Sequence, residues 1–214
     1  MKTTMFEVEK SALNCSKNTD VNTNSEYPYI WKISNSLFLA YSIEYFSLQH
    51  GGQNVQISAD QSVGHELIIL SEYELIDDVP TSVVLHYHGV RDYSLLFPWV
   101  ANVNLRERLG LFYEEAEKNF DQGAWLSFAL MCGAVFEGML FAKLNPASSR
   151  NNFSNMITDA TANRLLNGHQ QNIMNTVRNF RNLVHGNLYT NPYITRKDAM
   201  DIRTTLDKLI KEFN

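Results

Sequence analysis

The chain has 214 residues, a formal net charge of −5, 44% hydrophobic and 12% aromatic residues, enough apolar material for one large domain or two small ones and too much for a disordered chain. The charge is unevenly split: residues 1–102 hold 5 Lys and Arg against 12 Asp and Glu, a balance of −7, whereas residues 103–214 hold 13 against 11, a balance of +2. A polyanion should therefore meet the second half, yet so small an excess argues against a dedicated high-affinity binder of long nucleic acid, and the acidic half suits a basic partner. Two cysteines, Cys15 and Cys132, supply neither a disulfide framework nor a metal set. No basic leader with an apolar stretch opens the chain, and no uninterrupted apolar run reaches membrane-spanning length. A soluble, cytoplasmic protein is expected.

In chain order, MFEVE near the N-terminus predicts a strand, and the Asn-, Ser- and Thr-rich residues 10–28 predict a weakly ordered loop. Residues 29–98 read as β-rich. Apolar alternation runs through residues 37–46 (LFLAYSIEYF), 65–73 (HELIILSEY) and 82–87 (SVVLHY), with turn signals at His50-Gly51-Gly52, residues 77–80 and His88-Gly89. Gly51-Gly52 between alternating runs predicts a hairpin, and four to six antiparallel strands follow. Residues 37–46 suit a helix as well, since short aromatic runs are ambiguous by period. His86 and His88 point to one side of a strand, but a metal site would need His65, Glu66 or Asp92 to arrive through folding; a strand face is the default and no metal is expected. Tyr27, Tyr29, Trp31, Tyr41 and Tyr45 could stack bases, although aromatic residues are ordinary strand material.

Past Pro98, with Asn102 or Asn104 as cap, five helical segments are expected. Residues 105–121 are amphipathic. Residues 122–144 are apolar nearly all round and should form the buried central helix, with Gly133 and Gly138 at close helix contacts and Pro146 beyond its end. Residues 152–166 end at Gly168. Residues 171–185 follow, and residues 195–213 start with Thr195 as cap and Asp198 completing a capping box. The whole is read as α+β: a β-rich antiparallel domain at 1–102, then an up-and-down helical bundle at 103–214.

The residues able to do chemistry concentrate in VRNFRNLVHGN, residues 177–187. On a continuous α-helix Arg178, Arg181, Asn182 and His185 share one stripe, with Val177, Phe180 and Val184 on the other side. Arginine forks match phosphate oxygens and a histidine exchanges protons near neutrality, so the set suits cleavage of an RNA backbone; it equally suits a solvated or anion-binding face. Glu137, isolated in an apolar helix, should pair with an arginine such as Arg178 or Arg181, or lie at a subunit boundary. A structural ion pair is the leading reading for it, ahead of a catalytic base.

Arg178, the polar Asn179 and His185 near the end of a late helix resemble the signature of the HEPN superfamily. Arg181, four residues before His185, offers a second version of the motif, and residues 123–144 with Glu137 are similar to that family's long central helix. The resemblance covers residues 105–214. It implies a metal-independent endoribonuclease, without cofactor, that works as a homodimer with both Arg/His sets in one cleft. His185 would assist attack of the ribose 2′-hydroxyl or protonate the leaving oxygen, Arg178 would stabilise phosphoryl charge with Arg181 as a possible sharer, and Asn179 and Asn182 would orient the catalytic groups and hold RNA. Such domains resemble toxins or antiviral effectors held silent by an antitoxin or regulatory partner. The alternative is a non-catalytic nucleotide- or RNA-binding module of the same fold, and a purely structural partner protein is the third reading.

Overall fold

A computed structural model describes residues 1–55, 60–75, 79–147, 149 and 151–214. The chain forms two compact units, Met1–Leu95 and Leu96–Asn214. Among the described residues the first holds eight strands: β1 (Lys2–Val8), β2 (Leu13–Lys17), β3 (Tyr29–Ser34), β4 (Tyr41–His50), β5 (Gln53–Val55), β6 (Asp60–Val63), β7 (Glu66–Ser71) and β8 (Thr81–Val90). They make two antiparallel sheets, ordered β1-β8-β4-β5 and β2-β3-β7-β6. One face of each is buried: Phe6, Phe46, Leu48, Val83 and Leu85 in the first, Trp31, Ile33, Leu67 and Ile69 in the second. The ring of Trp31 meets that of His50 edge-on at 5.3 Å, so the two buried faces share one core.

Gly51 and Gly52 both take positive φ, 60° and 76°, where a side chain would strain the turn; the expected hairpin is the β4–β5 connection. Residues 29–98 hold six of the eight strands, within the four to six expected there, and the expected MFEVE strand is β1. Two expectations are corrected. The segment 10–28 is not a plain loop, because its polar run LNCSK pairs with β3 as an edge strand, and backbone pairing needs no apolar alternation. The loop beyond it is tied down by Asn18, whose buried side chain donates to Thr23 Oγ1 at 3.0 Å and to the Tyr27 carbonyl at 2.8 Å. Residues 37–46 divide: a 3₁₀ turn, Ser36–Ala40, leads into β4. Of the expected turn at 77–80, residues 77 and 78 lie outside the described residues.

The second unit contains five α-helices among the described residues: α1 (Val103–Asp121), α2 (Trp125–Leu144), α3 (Phe153–Ala162), α4 (Gly168–Phe180) and α5 (Arg196–Glu212). Local chemistry sets their starts. The side chains of Asn102, Asn152, Asn167 and Thr195 each accept a backbone N–H from the first turn, and Asn167/Gln170 and Thr195/Asp198 close full capping boxes. Gly168 opens α4 and does not close α3. The earlier stop comes at Ala162, followed by Arg164 at φ 59°.

At the centre lies α2, in contact with α1, α3, α4 and α5. A Cβ added to Gly133 would stand 3.0 Å from Val177 Cγ1 on α4, and one added to Gly138 would stand 2.5 Å from Leu109 Cδ2 on α1. Both glycines therefore allow close helix approach. By length and composition alone α2 could cross a membrane, although Glu137 interrupts its apolar run, as the sequence reading had it. In this unit α2 is a core element, with Phe128, Cys132, Val135, Phe136 and Met139 buried, and the Glu137 carboxylate pairs with Arg181 of the turn after α4.

Candidate functional site

Met174 and Val177 on α4 are buried, and Val177 sits over Gly133 of α2, which fixes the rotation of α4 about its axis. With that face inward, Arg178 turns towards α3 and Arg181 towards α2. An Arg178 Nη1 N–H donates to the Ser154 hydroxyl on α3. Arg181 Nη1 pairs with Glu137 Oε2 at 3.0 Å, both side chains partly open to solvent. The expected ion pair of Glu137 is thus made with Arg181, and Arg178 is not left free: it is half-buried and holds a hydroxyl.

The expected helix through His185 is corrected. The α-helix ends at Phe180 and tightens into a 3₁₀ turn, Arg181–Val184; His185 then takes extended backbone, φ −85° and ψ 113°. Asn179, Asn182, Val184 and Gly186 are weak helix formers, and the last turn closes by i to i+3 bonding. The His185 N–H donates to the Asn182 carbonyl at 3.0 Å, and the His185 carbonyl accepts from Leu188 N–H at 2.9 Å. Val184, expected on the inner edge, is 54% exposed because the tighter turn rotates it out.

This change decides which groups share a side. Each residue advances about 100° and about 1.5 Å along α4, and about 120° and about 2 Å across the 3₁₀ turn. Counted so, His185 lies about 60° round the axis from Arg178 and about 12 Å along it, with Asn182 in the same sector as His185. Arg181 falls about 120° from His185, on the side of α2. The side chains of Asn179, Asn182 and His185 are exposed and make no hydrogen bond among the described residues. The comparisons with known proteins come to one result: no family model, no curated protein and no solved structure matches this chain.

A buried polar set on α1 and α5 escaped the sequence reading. Tyr113 Oη donates to Asp207 Oδ1 at 2.5 Å, and Arg203 Nη2 pairs with Glu117 Oε2 at 2.9 Å while its guanidinium lies 4.4 Å from the centre of the Phe120 ring. The signal was present as two i, i+4 pairs, Tyr113/Glu117 and Arg203/Asp207, each placing a charge among core positions. Burial holds the Asp207 carboxyl above its ordinary range, against the lowering effect of the Tyr113 hydrogen bond. Burial also pushes the Cys132 thiol well up, with the nearby Asp207 and Glu117 adding to it, so Cys132 stays a protonated core residue and not a nucleophile. In the first unit His86 stacks on Tyr45 at 4.1 Å, and His88 Nε2 is 2.8 Å from Glu44 Oε2, both on the open side of the sheet. No group of three or more metal-ligating side chains exists among the described residues. Trp31 and Tyr41, candidates for base stacking, are buried in the core, while Tyr45 is 41% exposed.

Proposed function

We propose that this chain is a metal-independent endoribonuclease of HEPN type, built on an up-and-down bundle and acting as a homodimer in which two motif segments line one cleft. What carries the reading is the common sector of Arg178, Asn182 and His185 at an open helix end. His185 takes the proton of the ribose 2′-hydroxyl or returns one to the leaving 5′-oxygen, and Arg178 neutralises charge developing on the phosphoryl oxygens. Ser154 steadies the Arg178 guanidinium. Asn179 and Asn182 hold the RNA backbone. Arg181, engaged by Glu137, is the supporting arginine, and the pair anchors the 3₁₀ turn against α2. The expected products end in a 2′,3′-cyclic phosphate.

The reading extends to a cytoplasmic toxin or antiviral effector whose acidic first unit docks an antitoxin or regulatory protein. His185→Ala should lower RNA cleavage by about 10²- to 10⁴-fold, the usual contribution of a general acid or base, and should relieve growth arrest caused by overproduction. Unchanged cleavage by highly purified His185→Ala protein would sink the nuclease reading. The second reading, a nucleotide- or RNA-binding module without catalysis, gains from the Arg178–Ser154 and Arg181–Glu137 contacts, which give both arginines a structural role. It predicts saturable nucleotide binding that Arg178→Ala weakens, with no cleavage by the wild type.

A further inference from the structure

We infer that the outer face of α1 is a two-fold contact surface for a second copy of this chain. Asn104, Arg108, Leu111, Phe112, Glu115 and Asn119 fall within about 100° of one another on the helix. Leu111, at the middle, is 60% exposed, and the Arg108 guanidinium lies 5.8 Å from the centre of the Phe112 ring. Neither Arg108 nor Glu115 forms an ion pair within the chain among the described residues. The order of these six residues is self-complementary. Laid antiparallel on its copy about a dyad between Leu111 and Phe112, the helix sets Arg108 against Glu115 twice, Asn104 against Asn119 twice, and the apolar pair against itself. A parallel pairing would set like charges together. Isologous contacts require this kind of self-complementarity, and a partner of other sequence has no reason to match it.

The inference goes beyond the nuclease reading and concerns a different face. Gly138 and Gly133, which receive α1 and α4 on α2, are five residues and so about 140° apart round α2. A contact through α1 therefore leaves Arg178 and His185 outside it, and the composite cleft needs a second, separate interface. One helix per copy buries a small area, below about 1,200 Å² in total, the range of weak and reversible contacts.

Sedimentation of the full chain over a range of concentrations tests this, with Arg108→Glu, Glu115→Arg and the double exchange. Each single reversal sets like charges together twice and should weaken self-association by about tenfold or more; the double exchange should restore it to within about threefold of the wild type. Single variants that associate as the wild type does, or a double variant no stronger than either single one, overturn the inference. The readout is mass, not cleavage, so its failure and that of the nuclease reading are separable.

Discussion

Asp207 shows how one buried side chain writes a pH dependence into the molecule. Its folded pKa is raised, chiefly by burial, above the unfolded value of about 3.9. The folded state thus holds the proton more tightly than the unfolded state, so the favourable contribution is full below the unfolded pKa and disappears as pH rises through the folded one. Asp207→Asn keeps an acceptor for Tyr113 Oη and removes the ionisation. Its melting temperature at pH 7 should equal or exceed that of the wild type, and the part of the acid-side gain due to this group should vanish from a plot of melting temperature against pH. A variant clearly less stable at pH 7 would mean that the Asp207 charge itself supports the fold through Arg203 or Lys211. Sequence reading named His185, Arg178 and Glu137 because their residue types are chemically conspicuous. It passed over Tyr113 and Asp207 because their meeting joins residues 94 positions apart, and no local spacing encodes that.

At the scale of the element, the ends of α1 and α2 at residues 121 and 144 and the capped start of α5 were legible, whereas the start of α4 at Gly168 and the end of the motif helix were not. Asn102, Asn152 and Thr195 cap their helices with side-chain bonds to residues one turn ahead, a purely local event. The motif helix was read as running to His185 because the apolar period continues through Val184, yet period alone does not resist tightening into a 3₁₀ turn among weak helix formers. The glycines of α2 were read as close contacts, and the close approach of Leu109 and Val177 is their physical content. Gly138→Ala would gain up to about 1 kcal/mol of helix propensity but force the buried Leu109 off its position, at about 1–3 kcal/mol for overpacking. The net expectation is a loss of up to about 2 kcal/mol in denaturant unfolding; a more stable Gly138→Ala protein would show that α1 can move away without cost.

For the whole molecule, the unequal charge of its two halves governs any encounter with RNA. An acidic first half at −7 repels phosphate, and a second half at +2 attracts it only locally. RNA binding by a cleavage-deficient His185→Ala chain should therefore depend weakly on salt. Two or three phosphate contacts on a single strand give a slope of log affinity against log salt of about −1 to −2. A slope steeper than about −4 would reveal an extended basic track and a different mode of binding. Composition also showed an apolar second half with a central helix, and α2 takes that place in contact with all four other helices.

Taken alone, the sequence determined the α+β class, the order of sheets before helices, the Gly51-Gly52 hairpin and the Thr195-capped start of α5, because these depend on side-chain period and on bonds spanning a few residues. Only the tertiary structure decided that LNCSK joins a sheet edge, that Glu137 takes Arg181 while Arg178 takes Ser154, and that the chain turns out of its helix just before His185. The first two outcomes are competitions among partners far apart in the chain, settled by which groups packing brings within bonding distance; the third turns on which of two local bonding patterns the last turn adopts.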